Sequence, residues 1–172
     1  RARFQAIVPF TRLLAGPADY TTMFFGTEER RRDTTWTNQI ASMAIFSGPL
    51  LTIAAHPQRI LGNPAVEIIK SIPATWDETI VLPGSEIGEL AAFARRKGDT
   101  WFVAVMCGPE AKTLKLPLSF LADGRYTRDS AHDVSGNPTA VTVDSGPATR
   151  ADQVTLELSA GGGYIARFTK QP

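Results

Sequence analysis

The spacing of apolar residues changes at Ile72-Pro73, and that change limits the possible folds more than any other feature of the chain. Before it, two short apolar runs flank a stretch with helical spacing, which describes a β-α-β unit. After it, apolar and polar residues alternate, as they do in strands buried on one face. A parallel pair with one crossover helix cannot bury its own faces, whereas about seven or eight short antiparallel strands can close into a sandwich. The front portion therefore reads as a fragment of a larger α/β unit, and the rear portion as a domain of its own. At 172 residues the chain exceeds a sandwich of about 100 residues and falls short of a complete (β/α)8 barrel of about 250.

In the front portion, Gln5-Ala6-Ile7-Val8-Pro9-Phe10 has the composition of a strand buried on both faces, although Pro9 removes one ladder donor. Gly16-Pro17-Ala18-Asp19 has turn chemistry. Thr34 to Phe46 reads as a helix, with Asp33 or Thr34 as its cap and Trp36, Ile40, Met43 and Ala44 in one apolar stripe; Ser47-Gly48-Pro49 stops it. Leu50 to Ala55 reads as a second buried strand, parallel to the first through a right-handed crossover. Asn63-Pro64 is an N-cap followed by proline at the first helical position, opening a short helix through Val66, Ile68 and Ile69 that ends before Pro73.

In the rear portion Leu114, Leu116 and Leu118 alternate with Lys115 and Pro117, Val141 and Val143 enclose Thr142, and Val154, Leu156 and Leu158 enclose Thr155 and Glu157. Trp101 to Met106 is apolar throughout and suits a central strand. Gly98-Asp99, Asp123-Gly124, Ser135-Gly136 and Gly161-Gly162-Gly163 mark the turns of an antiparallel sandwich from about residue 75 to 170.

Composition excludes several classes of function. Lys and Arg total 18 against 17 Asp and Glu with no sustained basic stripe, which argues against a nucleic-acid partner. The cluster Arg30-Arg31-Arg32 is flanked by Glu28, Glu29 and Asp33, which cancel its field within a Debye length of about 8 Å. Cys107 is the only cysteine, so there is no internal disulfide and no cysteine-based zinc cluster. No run of about 20 apolar residues could cross a bilayer, so no membrane partner is expected. The sequence opens at Arg1 with neither an initiator Met nor a signal-peptide core, a pattern that a removed signal or a further domain upstream would also leave.

Two stretches carry a family resemblance. Ile7-Val8-Pro9-Phe10-Thr11-Arg12, followed by Ala15-Gly16-Pro17-Ala18-Asp19-Tyr20-Thr21, resembles the LPFTR…GPMDYT stretch of glycoside hydrolase family 97, although Thr22-Met23-Phe24 stands where the family continues with Pro-Gly. Ala74-Thr75-Trp76-Asp77-Glu78-Thr79, then Gly88 to Lys97 and Trp101-Phe102-Val103, is similar to the same family's P-x-x-W-D-E-T junction and the strands that follow it. The resemblance implies an exo-acting α-glycosidase of α-glucosidase or α-galactosidase type, with an N-terminal β-supersandwich, a catalytic (β/α)8 barrel, a C-terminal β-sandwich and calcium at the active site. It further implies an oligosaccharide or α-glycoside substrate and a periplasmic or secreted location. Residues 1–73 would then be the last β-α-β portion of the barrel, and 74–172 the sandwich. The upstream barrel and N-terminal domain would be needed as partners, and the chain by itself would be inactive. A non-catalytic β-sandwich module that binds carbohydrate or another protein is the alternative.

Glycoside cleavage needs one carboxylic acid to protonate the leaving oxygen and a second carboxylate across the sugar. In a barrel these groups stand at the C-terminal ends of strands. On the strands read above, those ends present Thr11 and Arg12, then Asp19 on the following loop, and His56 after the second strand. Arg12, Asp19 and His56 are accordingly the candidate substrate-binding residues. Each has a plainer reading: a rim ion pair for Arg12, a turn cap for Asp19, and a carbonyl-bonded rim side chain for His56. Glu28 and Glu29 are the only nearby glutamates, in a charge-mixed loop, and no catalytic carboxylate, metal ligand or calcium site is assignable. Asn38-Gln39 lies where the resembling family often carries His-Glu or His-Gln, which removes a proton-transfer role there. Trp36, Trp76 and Trp101 could stack on a sugar, with Trp101 inside an apolar strand and better suited to the core.

Overall fold

Every residue of the apolar run Trp101 to Met106 is buried, because it lies in the middle of a sheet covered on both faces. The computed structural model describes residues 1–26, 31–46, 48 and 50–172. Its largest sheet has six strands: β3 (Glu78–Val81), β4 (Leu90–Lys97), β5 (Thr100–Cys107), β7 (Tyr126–Val134), β8 (Asn137–Ala148) and β10 (Gly163–Lys170). They run antiparallel in the order β3-β4-β5-β10-β7-β8. A second sheet of two antiparallel strands, β6 (Lys112–Pro117) and β9 (Gln153–Leu158), lies over one face. The result is an antiparallel β-sandwich with sheets of unequal width.

Strand periodicity assigns the two faces. Trp101, Val103, Val105 and Cys107 point with Ala166 and Phe168 toward Leu114, Leu116, Leu156 and Leu158 of the small sheet. Phe102, Ala104 and Met106 point with Phe93, Ala131 and Ile165 the other way, toward helices from the front of the chain. Those helices are α1 (Ala2–Ile7), α2 (Trp36–Ile45), α3 (Pro57–Leu61) and α4 (Val66–Ser71). One apolar cluster joins Ile40, Met43 and Ala44 of α2 and Ile68 and Ile69 of α4 to the large sheet, so the core passes through the junction at residue 73. Burial of such aliphatic side chains is worth roughly 1.5–3 kcal/mol each, which makes α2 an integral layer on the sheet.

Three expectations for the front portion are corrected. Gln5 to Phe10 is not a strand: α1 runs to Ile7 and Val8–Phe10 is a 3-10 turn. Ala2, Gln5 and Ala6 are buried at helical spacing while Phe4 is 59% exposed, so the run has one buried side, and Pro9 fits the first turn of a helix where its missing N–H costs nothing. The first parallel strand is instead β1 (Thr21–Thr22), paired with β2 (Thr52–Ile53) in the register Thr21 with Thr52 and Thr22 with Ile53. The β-α-β unit therefore exists with α2 as its connection, but β2 is two residues long and exposed, not a buried run from Leu50 to Ala55. Finally, α2 is capped by Thr35, whose hydroxyl accepts from the Asn38 amide at 3.1 Å. Thr34 donates to the Arg31 carbonyl and accepts from Gln39, and the Asp33 carboxylate takes the Ala2 amide, so both expected caps have other partners.

The short helix after Asn63-Pro64 forms as expected: Asn63 Oδ1 accepts from the Ala65 amide at 2.9 Å and α4 ends at Ser71. The stop at Ser47 and Pro49, like Glu28, Glu29 and Arg30, lies outside the described residues. Among the described residues no helix is long and apolar enough to cross a bilayer.

Candidate functional site

Because β1 and β2 are parallel, the segments leaving their C-terminal ends emerge side by side. Met23 to Gly26 follow β1, and Ala54 to His56 follow β2. Side chains from the helical layer hold both segments. Gln39, fully buried on α2, accepts the Phe24 amide on Oε1 at 3.2 Å while its Nε2 donates to Thr34 at 2.8 Å. Phe25 stacks on Trp36 with ring centroids 4.8 Å apart, and the Arg59 guanidinium donates to the Phe25 carbonyl. Met23 sits at φ 59°, a left-handed conformation that turns the chain sharply after the strand.

These contacts shape an open concavity of about 480 Å³ lined by Phe24, Phe25, Gly26, Ala54, His56 and Arg59. That size suits a small ligand. His56 is also the N-cap of α3, with Pro57 at the first helical position, and its Nδ1 accepts from the Gln58 amide at 3.3 Å. Since Nδ1 is an acceptor there, the neutral ring carries its proton on Nε2 and presents a donor. The concavity thus combines two aromatic rings, one imidazole donor and one guanidinium, a set that binds a polar ligand with apolar faces; its described lining residues include no carboxylate.

Of the candidate substrate-binding residues Arg12, Asp19 and His56, His56 alone lines this concavity. Arg12 lies on the 3-10 turn Arg12–Ala15, exposed, with its guanidinium directed at the Gly16 carbonyl at 3.4 Å. Asp19 is exposed and precedes β1, at the end of the parallel pair opposite to His56. Their expected place after the first strand followed from reading Gln5 to Phe10 as that strand. Asn38 is buried and donates to the Gly162 carbonyl at 3.0 Å, a bond across 124 residues that fastens α2 to the sandwich. Trp101 belongs to the core with Phe120 and Phe168, and Trp76 meets Phe102 edge-on at 5.4 Å. His132 pairs with Asp144 in the sandwich, Nε2 to Oδ2 at 2.5 Å.

Phe24, Phe25 and Arg59 were missed by sequence reasoning. His56-Pro57 was a usable signal, since a capping residue followed by proline marks a helix start directly after a strand. Among the described residues no group of three or more His, Cys, Asp or Glu is arranged to hold a metal ion. Calcium prefers six to eight oxygen ligands, most of them carboxylate or carbonyl, and the described residues of the concavity do not meet that need by themselves.

Residues 75–169 match the family model described as glycosyl-hydrolase 97 C-terminal, oligomerisation. The chain belongs to glycoside hydrolase family 97. A retaining alpha-galactosidase of Bacteroides thetaiotaomicron is 28% identical over 98% of the chain. A family 97 enzyme from Pseudoalteromonas sp. strain K8, solved with acarbose, superimposes with a TM-score of 0.90 at 27% identity over 99% of the chain. A beta-arabinopyranosidase structure superimposes with a TM-score of 0.82 at 27% identity over 96% of it. The chain spans 27% of the length of the galactosidase and 29% of the Pseudoalteromonas chain.

Proposed function

We propose that the chain is the C-terminal part of an exo-acting α-glycosidase of α-galactosidase or α-glucosidase type, in which residues 1–73 complete a (β/α)8 barrel. The observation that carries this reading is the parallel β1-α2-β2 unit of a family 97 chain, with an aromatic and histidine-lined concavity at the C-terminal ends of its strands. Active sites of (β/α)8 enzymes stand at that end. Leu14 at 79% exposed and Leu50 at 81% leave apolar surface around the pair, as a unit with absent neighbours would. His56 would donate from Nε2 to a sugar hydroxyl, and Phe24 would meet the apolar face of the ring. Most of the catalytic carboxylates and calcium ligands come from elsewhere in the complete protein, so this chain alone does not turn over glycosides. A periplasmic or secreted location is part of the same proposal.

The test compares p-nitrophenyl α-galactoside and α-glucoside hydrolysis by the full-length parent, by the 172-residue chain and by the parent carrying His56→Ala. The parent is expected to be active and the chain silent. The His56→Ala parent is expected to lose about tenfold in kcat/KM, the worth of one hydrogen bond of roughly 1.4 kcal/mol. Equal activity in the isolated chain, or an unchanged variant, contradicts the proposal.

A second role is favoured by the oligomerisation description attached to residues 75–169. On that reading the sandwich also joins two copies of the protein. Light scattering of the chain across a concentration series tests it, with a strictly monomeric mass at every concentration as the opposing result.

A further inference from the structure

The small sheet does not cover the large one completely. β9 is hydrogen-bonded to β6 alone, and its other edge stands over the part of the large sheet formed by β7 and β8. There the floor turns polar. Arg128, Ser130 and His132 of β7 alternate onto that face beside Asp144 of β8 and Tyr164 of β10, with His132 directly opposite Tyr164 and Ser130 opposite Asp144. The floor and the open edge enclose a cleft of about 330 Å³, on the face of the sheet turned away from α2.

Among the described residues, several polar atoms of the cleft, Asp133 Oδ1 included, make no hydrogen bond of acceptable geometry. Tyr164 is only 4% exposed, yet its hydroxyl makes no hydrogen bond of acceptable geometry, and Arg128 Nε is likewise buried and unbonded. Leaving a buried donor unmade costs about 1–3 kcal/mol. Burial raises the Tyr164 phenol above its ordinary range, opposed by the nearby Arg128 cation and Ser130 hydroxyl, so it keeps its proton and remains a donor. His132 and Asp144 are joined at 2.5 Å and present a carboxylate edge as an acceptor. Along β9, alternate backbone amides and carbonyls face away from β6, because the opposite edge of an antiparallel strand always leaves every second residue unpaired.

Charge narrows the occupant. The single Arg128 cation shares the cleft with the carboxylates of Asp133, Asp144 and Glu157, so the lining is net acidic and an anion is disfavoured. The volume falls in the small-molecule range and is too small for an added strand with its side chains. Closely spaced donors and carboxylate acceptors match the adjacent hydroxyls of a polyol.

We infer that this cleft is a binding site for a neutral sugar, a single pyranose ring or the end of a glycan, held by Tyr164, Asp144 and the open edge of β9. Nothing in this assignment depends on the barrel reading, since no residue of the cleft comes from the first 73. Isothermal titration and NMR of the 172-residue chain with D-galactose, D-glucose and inorganic phosphate test it. Saturable millimolar binding of at least one sugar is expected, weakened about tenfold by Tyr164→Phe and by Asp144→Asn. Thermal melts should show both variants folded, and His56→Ala should leave the sugar affinity unchanged. Four results overturn the inference: no saturable response to either sugar, equal affinity in both variants, phosphate binding in place of sugar, or dimerisation that occupies the cleft while sugar has no effect.

Discussion

Gly163→Ala is expected to destabilise the protein by about 3 kcal/mol, and the reason is steric. Gly163 opens β10 directly beneath the first turn of α2. A Cβ built there lies 2.5 Å from Asn38 Cα, 2.5 Å from Asn38 N and 2.8 Å from the Thr37 carbonyl carbon. All three are helix backbone atoms, so no side chain can rotate away to make room. Overpacking of this kind costs roughly 1–3 kcal/mol, and backbone on both sides places the change at the upper end. For a chain of this size about 1 kcal/mol corresponds to about 2–4 °C, so a fall in Tm of about 6–12 °C is expected.

Gly161 would be a poorer probe, because its φ of +63° adds backbone strain to the overlap with Asp33. Gly146→Ala is the matched control: it lies in β8 with nothing within 4 Å of the new methyl, and its effect should stay within about 0.5 kcal/mol. Differential scanning calorimetry of the three proteins decides the matter. If Gly163→Ala melts within about 2 °C of Gly146→Ala, a difference below about 1 kcal/mol, α2 does not rest on the β9–β10 turn as described.

Asn38→Ala should cost about 1–3 kcal/mol by removing the 3.0 Å bond to the Gly162 carbonyl, and a double mutant with Gly163→Ala should be markedly non-additive in denaturant melts because the two residues touch. The Gly98 amide at 2.8 Å and Lys97 at 3.0 Å hold the Asp77 carboxyl below its ordinary range. A depressed folded-state value means its contribution is present above the unfolded value of about 3.9 and is lost as the pH falls through the lower folded one, so Asp77→Asn should lower Tm at pH 7 and flatten the acid limb below about pH 4. Burial pushes the Cys107 thiol up to about 11, with its Sγ donating to the Glu110 carbonyl at 3.0 Å. Maleimide should therefore label the native chain only at the rate of unfolding, and labelling as fast as a free thiol would contradict its burial.

Much of the sandwich was legible because its signals are local. Alternation at Leu114 to Leu118 and at Val154 to Leu158 gave β6 and β9, and the continuous run Trp101 to Met106 gave a strand covered on both faces. What covers those faces could not be read, since α2 reaches β5 and β10 through contacts between residues more than 50 positions apart. The parallel pair was harder. Thr21-Thr22 and Thr52-Ile53 are two-residue strands without a period, and they are strands only because each finds the other. Gln5 to Phe10 offered a stronger apolar run, yet once the three preceding residues are included the buried positions Ala2, Gln5 and Ala6 follow a helix.

That one reassignment reorganises the candidate site. Moving the first strand from Gln5–Phe10 to Thr21–Thr22 transfers Arg12 and Asp19 from the end of the pair that carries His56 to the segment leading into it. It also brings Phe24 and Phe25, neither of which was a candidate site residue, to the strand ends beside His56. Their position depends on Gln39, an α2 side chain that is buried, uncharged and bonded on both ends, and so invisible to any search for catalytic residue types. The same helix is fixed to the sandwich one residue earlier, at Asn38. Consecutive residues of α2 thus tie the glycine turn of the sandwich to the loop that shapes the concavity. A displacement of α2 by the methyl of Gly163→Ala should therefore reach Phe24 through Gln39, and on the proposed glycosidase reading it should raise KM for the α-glycoside in the full-length parent as well as lower Tm. A lowered Tm with an unchanged KM would show that the loop after β1 is held by other means.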